Sequence, residues 1–156
     1  MFYFLQGDLD KLIIIINGIK QKLRESGQDI GESCRQAAET YHDNAPYEEA
    51  VRSFEFHSIR LSSLVEIRQS AEIIRPPENN DKVRVGHRVR ILDMVSDEII
   101  CFTVGSYLVF SDDHVSYNSP LAKLLLGAKV GEIKSGRVGN RDRELLILEI
   151  IAPENK

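Results

Sequence analysis

The sequence predicts an α+β protein: an N-terminal antiparallel coiled-coil helical hairpin followed by a small β-rich domain with one helix. Three observations carry this. Apolar residues recur at steps of three and four in two long segments, a polar stretch containing two prolines follows them, and beyond it the pattern alternates and becomes rich in β-branched residues. The hairpin is assigned to residues 1–75, the linker to 76–81 and the second domain to 82–156.

In the first segment Leu9, Leu12, Ile16, Ile19, Leu23, Ser26, Ile30, Ser33 and Ala37 form a narrow seam that loses apolarity along its length. Gly27 and Gly31 each cost about 1 kcal/mol relative to alanine inside a helix, so the middle either bends or divides into two shorter helices. The spacing resumes from Tyr47 through Ala50, Phe54, His57, Leu61 and Leu64 and runs irregularly to Ala71 and Ile74. Asn44 suits the N-cap, Pro46 the first turn, and Glu48 and Glu49 the positive end of the helix dipole. The short connection makes the two helices antiparallel, with TYHDNAPYEE (Thr40 to Glu49) at the tip.

RPPENND, Arg75 to Asp81, stops the second helix because neither proline continues it. VRVGHRVRILDM, EIICFTV, SYLVF and RELLILEII then read as strands of a mostly antiparallel sheet. One helix interrupts them. Ser119 is its N-cap, Pro120 its first position, Leu121, Leu124 and Leu125 its buried face, and Gly127 its stop.

Composition narrows the function classes. A net charge of −4 excludes a strong overall basic field, so any grip on nucleic acid is local. Cys34 and Cys101 are far apart and form no CxxC pair, which points to a reducing, cytoplasmic setting. LIIII, Leu12 to Ile16, is far shorter than the roughly 20 residues of a membrane span. It follows Asp8 and Asp10 rather than a basic segment, so it does not read as an export signal, and no membrane partner is expected.

His42, His57, His87 and His114 are scattered, without metal-ligand or triad spacing, and no phosphate-binding glycine motif is present. No permanently bound metal is expected. Lys20, Lys22, Arg24, Arg35 and Arg52, with Arg60 and Arg68, offer charges to RNA phosphates or serve as the solvated flank of a coiled coil. Glu48 and Glu49 are accounted for by helix initiation. Asp43 precedes the cap and is predicted to point off the end of the hairpin.

VSYNSPLAKLLLGAKVGE, Val115 to Glu132, resembles in order and spacing the segment ISxxSPLxxALLGKxxGD of the bacterial Gre transcription elongation factors. The preceding GHRVRILDMVSDEIICFTVG resembles that family's first strands. DNAPYEEAV, Asp43 to Val51, is similar to its ENAEYHAAR, and GDLDKL occupies the place of its GxEKL. The resemblance implies an FKBP-like second domain that docks on the rim of the secondary channel of bacterial RNA polymerase, through Val115, Ser116, Asn118, Ser119, Pro120 and Leu121. It also implies a coiled coil whose acidic tip reaches the polymerase active site and nascent RNA. There the tip carboxylates help hold a magnesium ion and a water, promoting cleavage of backtracked RNA. Such an ion takes oxygen ligands at about 2.1 Å and retains water. The isolated protein is expected to be a monomer and to bind no cofactor of its own.

The tip departs from the family. Where cleavage-activating members carry DLKEN, this chain has TYHDN, Thr40 to Asn44. Asp43 keeps the second acid, Thr40 replaces the first, and Pro46 stands in place of a usual glutamate. Glu39 and Glu48 are the candidate helpers, with Thr40, Tyr41, Asn44 and Tyr47 as tip neighbours. One acid and a hydroxyl hold a hard cation less well than two acids. The expectations are therefore a cleavage-modulating factor that is not itself an enzyme or, alternatively, a polymerase-binding regulator or inhibitor without efficient cleavage. A more distant alternative is an FKBP-like prolyl isomerase, for which the aromatics Phe102, Tyr107, Phe110 and Tyr117 are few.

Overall fold

The computed structural model describes residues 1–37 and 45–153. The chain divides into two compact units, Asp10–Ser70 on the one hand and Met1–Leu9 with Ala71–Lys156 on the other. The first nine residues thus cluster with the second unit, a placement that helical spacing alone did not register.

Helix α1 spans Gln6–Ala37 and α2 spans Ala45–Gln69. At a rise of 1.5 Å per residue, the 32 residues of α1 extend about 48 Å. Despite Gly27 and Gly31, α1 is one continuous helix rather than two. Within the Asp10–Ser70 unit, Leu12, Ile16, Ile19 and Ala50 are buried, as the spacing requires. Farther along, the seam turns polar: Ser26 is buried, and its hydroxyl lies 3.2 Å from that of Ser53 on α2. Ser53 therefore takes the seam position where Phe54 was expected. Phe54 is exposed on the flank, where its ring would be 3.8 Å from a Cβ placed at Gly27.

The apolar spacing beyond Leu64 overstates α2. It stops at Gln69, and Ala71–Ile73 forms strand β2, paired in parallel with β1, Phe2–Phe4. The extended backbone is stabilised there by hydrogen bonds that a helix could not make, including Ile74 N–H to the carbonyl of Phe4 at 2.9 Å.

The second unit also holds a five-stranded sheet in the order β5-β4-β3-β7-β6. Its strands are β3 Arg88–Asp93, β4 Glu98–Gly105, β5 His114–Ser116, β6 Ile133–Val138 and β7 Arg141–Ile151. All neighbours are antiparallel except β4 and β5. Helix α3, Pro120–Leu125, covers one face. Val89, Ile91, Phe102, Val104, Leu145, Ile147 and Ile150 pack there with Ala122 and Leu125. The uneven spacing of RELLILEII has a local cause. A bulge opposite Arg90 and Ile91 leaves Leu148 out of register, so that Ile147 and Ile150, three apart, both face the core.

Two strand expectations are corrected. SYLVF, Ser106 to Phe110, is not a strand, because Tyr107 N–H donates to Tyr3 of β1 and the chain then turns to place the short β5 beside β4. VRVGHRVRILDM contributes only Arg88–Asp93. Gly86 adopts φ +100°, and a Cβ there would lie 2.8 Å from Pro77, so the chain turns before the strand begins. Strand β6 went unrecognised because IKSGRV is largely polar and carries Gly136 at its centre. That glycine makes room for Leu124 of α3, whose Cδ1 would be 3.0 Å from an added Cβ.

Candidate functional site

The segment from Val115 to Leu121 leaves the sheet edge at β5 and enters α3. Its ends are anchored: Val115 and Leu121 pack against the domain core. Between them Ser116 Oγ donates to the carbonyl of Tyr107 at 2.8 Å and accepts from Asn118 N–H at 3.3 Å. The Tyr117 and Ser119 N–H groups donate to the carbonyls of Gly105 and Ser116.

Ser119 is the N-cap of α3, its hydroxyl accepting from Ala122 N–H at 3.1 Å, and Pro120 follows in the first turn, where its missing N–H is not needed. Asn118 and Pro120 remain exposed. The six residues expected to dock are thus brought together, with half-buried apolar residues at both ends and a polar, proline-bearing surface between them. Gly127, at φ +80°, ends the helical segment as its sequence position required.

The hairpin tip is only partly within view. Glu39, Thr40, Tyr41, Asp43 and Asn44 lie outside the described residues. Tyr47 is half-buried on the first turn of α2, while Glu48 is exposed and 4.0 Å from Arg52, one turn on. Arg52 Nε also donates to the Glu48 carbonyl. Near this end Asp29, Glu32 and Glu49 line an open cleft of about 390 Å³ with Ser33, Ala50 and Ser53. Sequence reasoning did not group these three acids, since they come from two helices. Among the described residues, no group of three or more His, Cys, Asp or Glu is placed to hold a metal ion.

Lys20, Lys22, Arg24, Arg35 and Arg52 are all exposed. They do not form one patch: at 3.6 residues per turn Lys20 and Arg24 share a face of α1 with Arg35, whereas Lys22 falls on the opposite flank. Arg35 folds back toward the Gly31 carbonyl at 3.4 Å. Of the aromatics considered for an isomerase pocket, Phe102 is buried in the core and Tyr107 and Tyr117 pack near each other, with ring centroids 6.4 Å apart.

Two buried polar groups fix the sheet and the chain leading into it. His87 is fully buried; its Nδ1 accepts from Arg84 N–H at 3.1 Å, and its Nε2 lies 2.9 Å from the Asn79 carbonyl, which defines a neutral ring donating from Nε2. Burial holds its pKa below the usual histidine value. Asp93 is also fully buried. Burial alone would raise its pKa, but hydrogen bonds from Arg143 and Val95 N–H, with the charge of Arg143, bring it below the usual carboxylate value.

Comparison with known proteins identifies the family. The profile described as "Transcription elongation factor, GreA/GreB, C-term" matches residues 78–152. A transcription elongation factor GreA of Helicobacter acinonychis (strain Sheeba) is 33% identical over 117 residues, covering 72% of this chain and 70% of the relative. The chain belongs to the GreA/GreB family of transcription elongation factors.

Another GreA, from a Nitratiruptor species, is 28% identical over 135 residues, with 83% of each chain covered. Among solved structures, GreA factor homolog 1 (Gfh1) of Thermus thermophilus covers 95% of this chain and 97% of its own, at 22% identity and a TM-score of 0.42. The family match includes the whole Val115 to Leu121 segment. No helix among the described residues is long and apolar enough to cross a membrane.

Proposed function

We propose that this protein binds bacterial RNA polymerase at the rim of the secondary channel through Val115 to Leu121 and carries its hairpin tip toward the active site. There it modulates cleavage of backtracked RNA. The carrying observation is the docking segment: in a GreA/GreB-family chain, Ser116 and Ser119 hold their own backbone while Asn118 and Pro120 stay exposed. An interaction surface fixed before binding loses less entropy on association.

In this reading the protein is an accessory factor and the polymerase supplies the chemistry. Asp43 offers one carboxylate to a magnesium ion of the polymerase site, and Glu39 and Glu48 are the available helpers. Thr40 supports a second reading, a channel-occupying regulator without efficient cleavage, because a neutral hydroxyl replaces one of the two family acids.

Halted, backtracked elongation complexes incubated with the protein and magnesium distinguish the two. Shortened RNA, lost with Asp43→Ala, identifies a stimulator; polymerase binding without shortening identifies a regulator. In the second case Thr40→Asp should raise cleavage, and an unchanged rate would refute the missing acid as the cause. No binding at all would remove both readings.

A further inference from the structure

The docking segment rests on a part of the chain remote in sequence. Tyr107 N–H donates to the Tyr3 carbonyl at 3.0 Å, Tyr3 N–H donates to the Tyr117 hydroxyl at 3.3 Å, and the Tyr107 carbonyl receives Ser116 Oγ. The rings continue the pattern: Phe2 and Tyr107 have centroids 4.2 Å apart, and Tyr3 and Tyr117 6.0 Å. Next to Tyr107, Ser106 is fully buried. Its hydroxyl accepts from Leu5 N–H at 2.9 Å and donates to the Asp8 carboxylate at 2.5 Å.

We infer that strand β1, acting through Tyr107 and Tyr117, is a positioning element for polymerase docking, so that Phe2, Tyr3 and Tyr107 set the affinity without being the contact surface, with Tyr117 joining them to the docking segment. The inference rests on the docking role proposed above. β5 is a three-residue edge strand with a single sheet neighbour, and the turn that follows, bonded within itself and to Gly105, is also tied to the Tyr107 carbonyl that β1 helps to place. A short edge held on one side samples many conformations; a second support on the other side selects one of them. Tyr117 suits this task, because it joins a rigid ring beside Tyr3 and Tyr107 to a hydroxyl that accepts from the Tyr3 backbone. Gly105 leaves room for the chain that returns to β5, since a Cβ there would lie 2.7 Å from Val109 and 3.5 Å from His114.

Two readouts on the full chain test this. Hydrogen exchange of the Tyr117 and Ser119 amides is followed in the wild type, Phe2→Ala, Phe2→Tyr and Tyr117→Phe, and each is titrated with bacterial core polymerase beside Asn118→Arg. Phe2→Ala and Tyr117→Phe should speed exchange at both amides and weaken polymerase binding roughly two- to tenfold, the worth of one aromatic or hydrogen-bond contact. Phe2→Tyr, which keeps the ring, should restore both. Unchanged exchange in Phe2→Ala and Tyr117→Phe overturns the inference whatever the polymerase does. Faster exchange with wild-type affinity, while Asn118→Arg abolishes binding, overturns it too and leaves the docking reading standing. If Asn118→Arg binds like the wild type, the docking assignment itself falls, and the inference with it.

Discussion

Replacing Arg143 by methionine should destabilise the β-rich unit by about 3 kcal/mol at neutral pH. Asp93 has no solvent exposure, and its carboxylate is held by the Arg143 guanidinium and by Val95 N–H at 3.0 Å. Removing one partner of a buried ion pair typically costs about 3–5 kcal/mol, because the remaining charge is left uncompensated. The Arg143 side chain is 26% exposed, which places the loss at the lower end. Against a net domain stability of about 5–15 kcal/mol, the shift is large enough to read from urea unfolding.

The pH dependence has a defined sign. The folded pKa of Asp93 is lowered, so its contribution is complete above the unfolded value near 3.8 and is lost as pH falls from there through the folded value. In Arg143→Met the same carboxylate faces burial without its cation, and the deficit should shrink as acid protonates it. Asp93→Asn combined with Arg143→Met should cost less than the sum of the single changes. A loss below about 1 kcal/mol, as for a surface pair, or an equal deficit at pH 7 and in acid, would refute the account.

His87 contributes stability that is full above its unfolded value of 6.5 and declines as pH falls from there toward its lowered folded value; a urea midpoint unchanged across that window would contradict this. Ser119→Ala removes the α3 cap and should cost about 1 kcal/mol in thermal or urea unfolding, with no effect if the cap is dispensable. Ser26→Val or Ser53→Val alone should destabilise the hairpin, whereas the double change should cost less than the sum of the two, because it replaces both members of a hydroxyl pair of which Ser26 is buried and Ser53 half-buried. Additive losses would show that the two hydroxyls act separately.

The periodic parts of the chain were legible. Leu12, Ile16 and Ile19 announced the first helix, while Ser119, Pro120 and Gly127 marked the ends of α3 by capping chemistry that is local in sequence. Long-range pairing was not legible. FYF and AEI are too short to signal strands, and they become so only by pairing with each other across the helical hairpin. SYLVF has strand composition, yet the Tyr107 backbone bonds to Tyr3 instead.

The same limit applies at the site. The exposed Asn118 and Pro120 belong to a contiguous motif, but the bonds that tie their segment to β1 span more than one hundred positions, as the Tyr3 to Tyr117 separation of 114 illustrates. The cleft acids Asp29, Glu32 and Glu49 likewise meet only when two helices pack. At the tip, the sequence alone supplies the contrast between Asp43 and Thr40.

The central claim is polymerase binding through the β5–α3 segment, and an equilibrium titration of bacterial core RNA polymerase with the full chain tests it most directly. The account predicts saturable binding that Asn118→Arg weakens at least about tenfold, or 1.4 kcal/mol. Absence of saturable binding, or equal affinity for the two proteins, would contradict it.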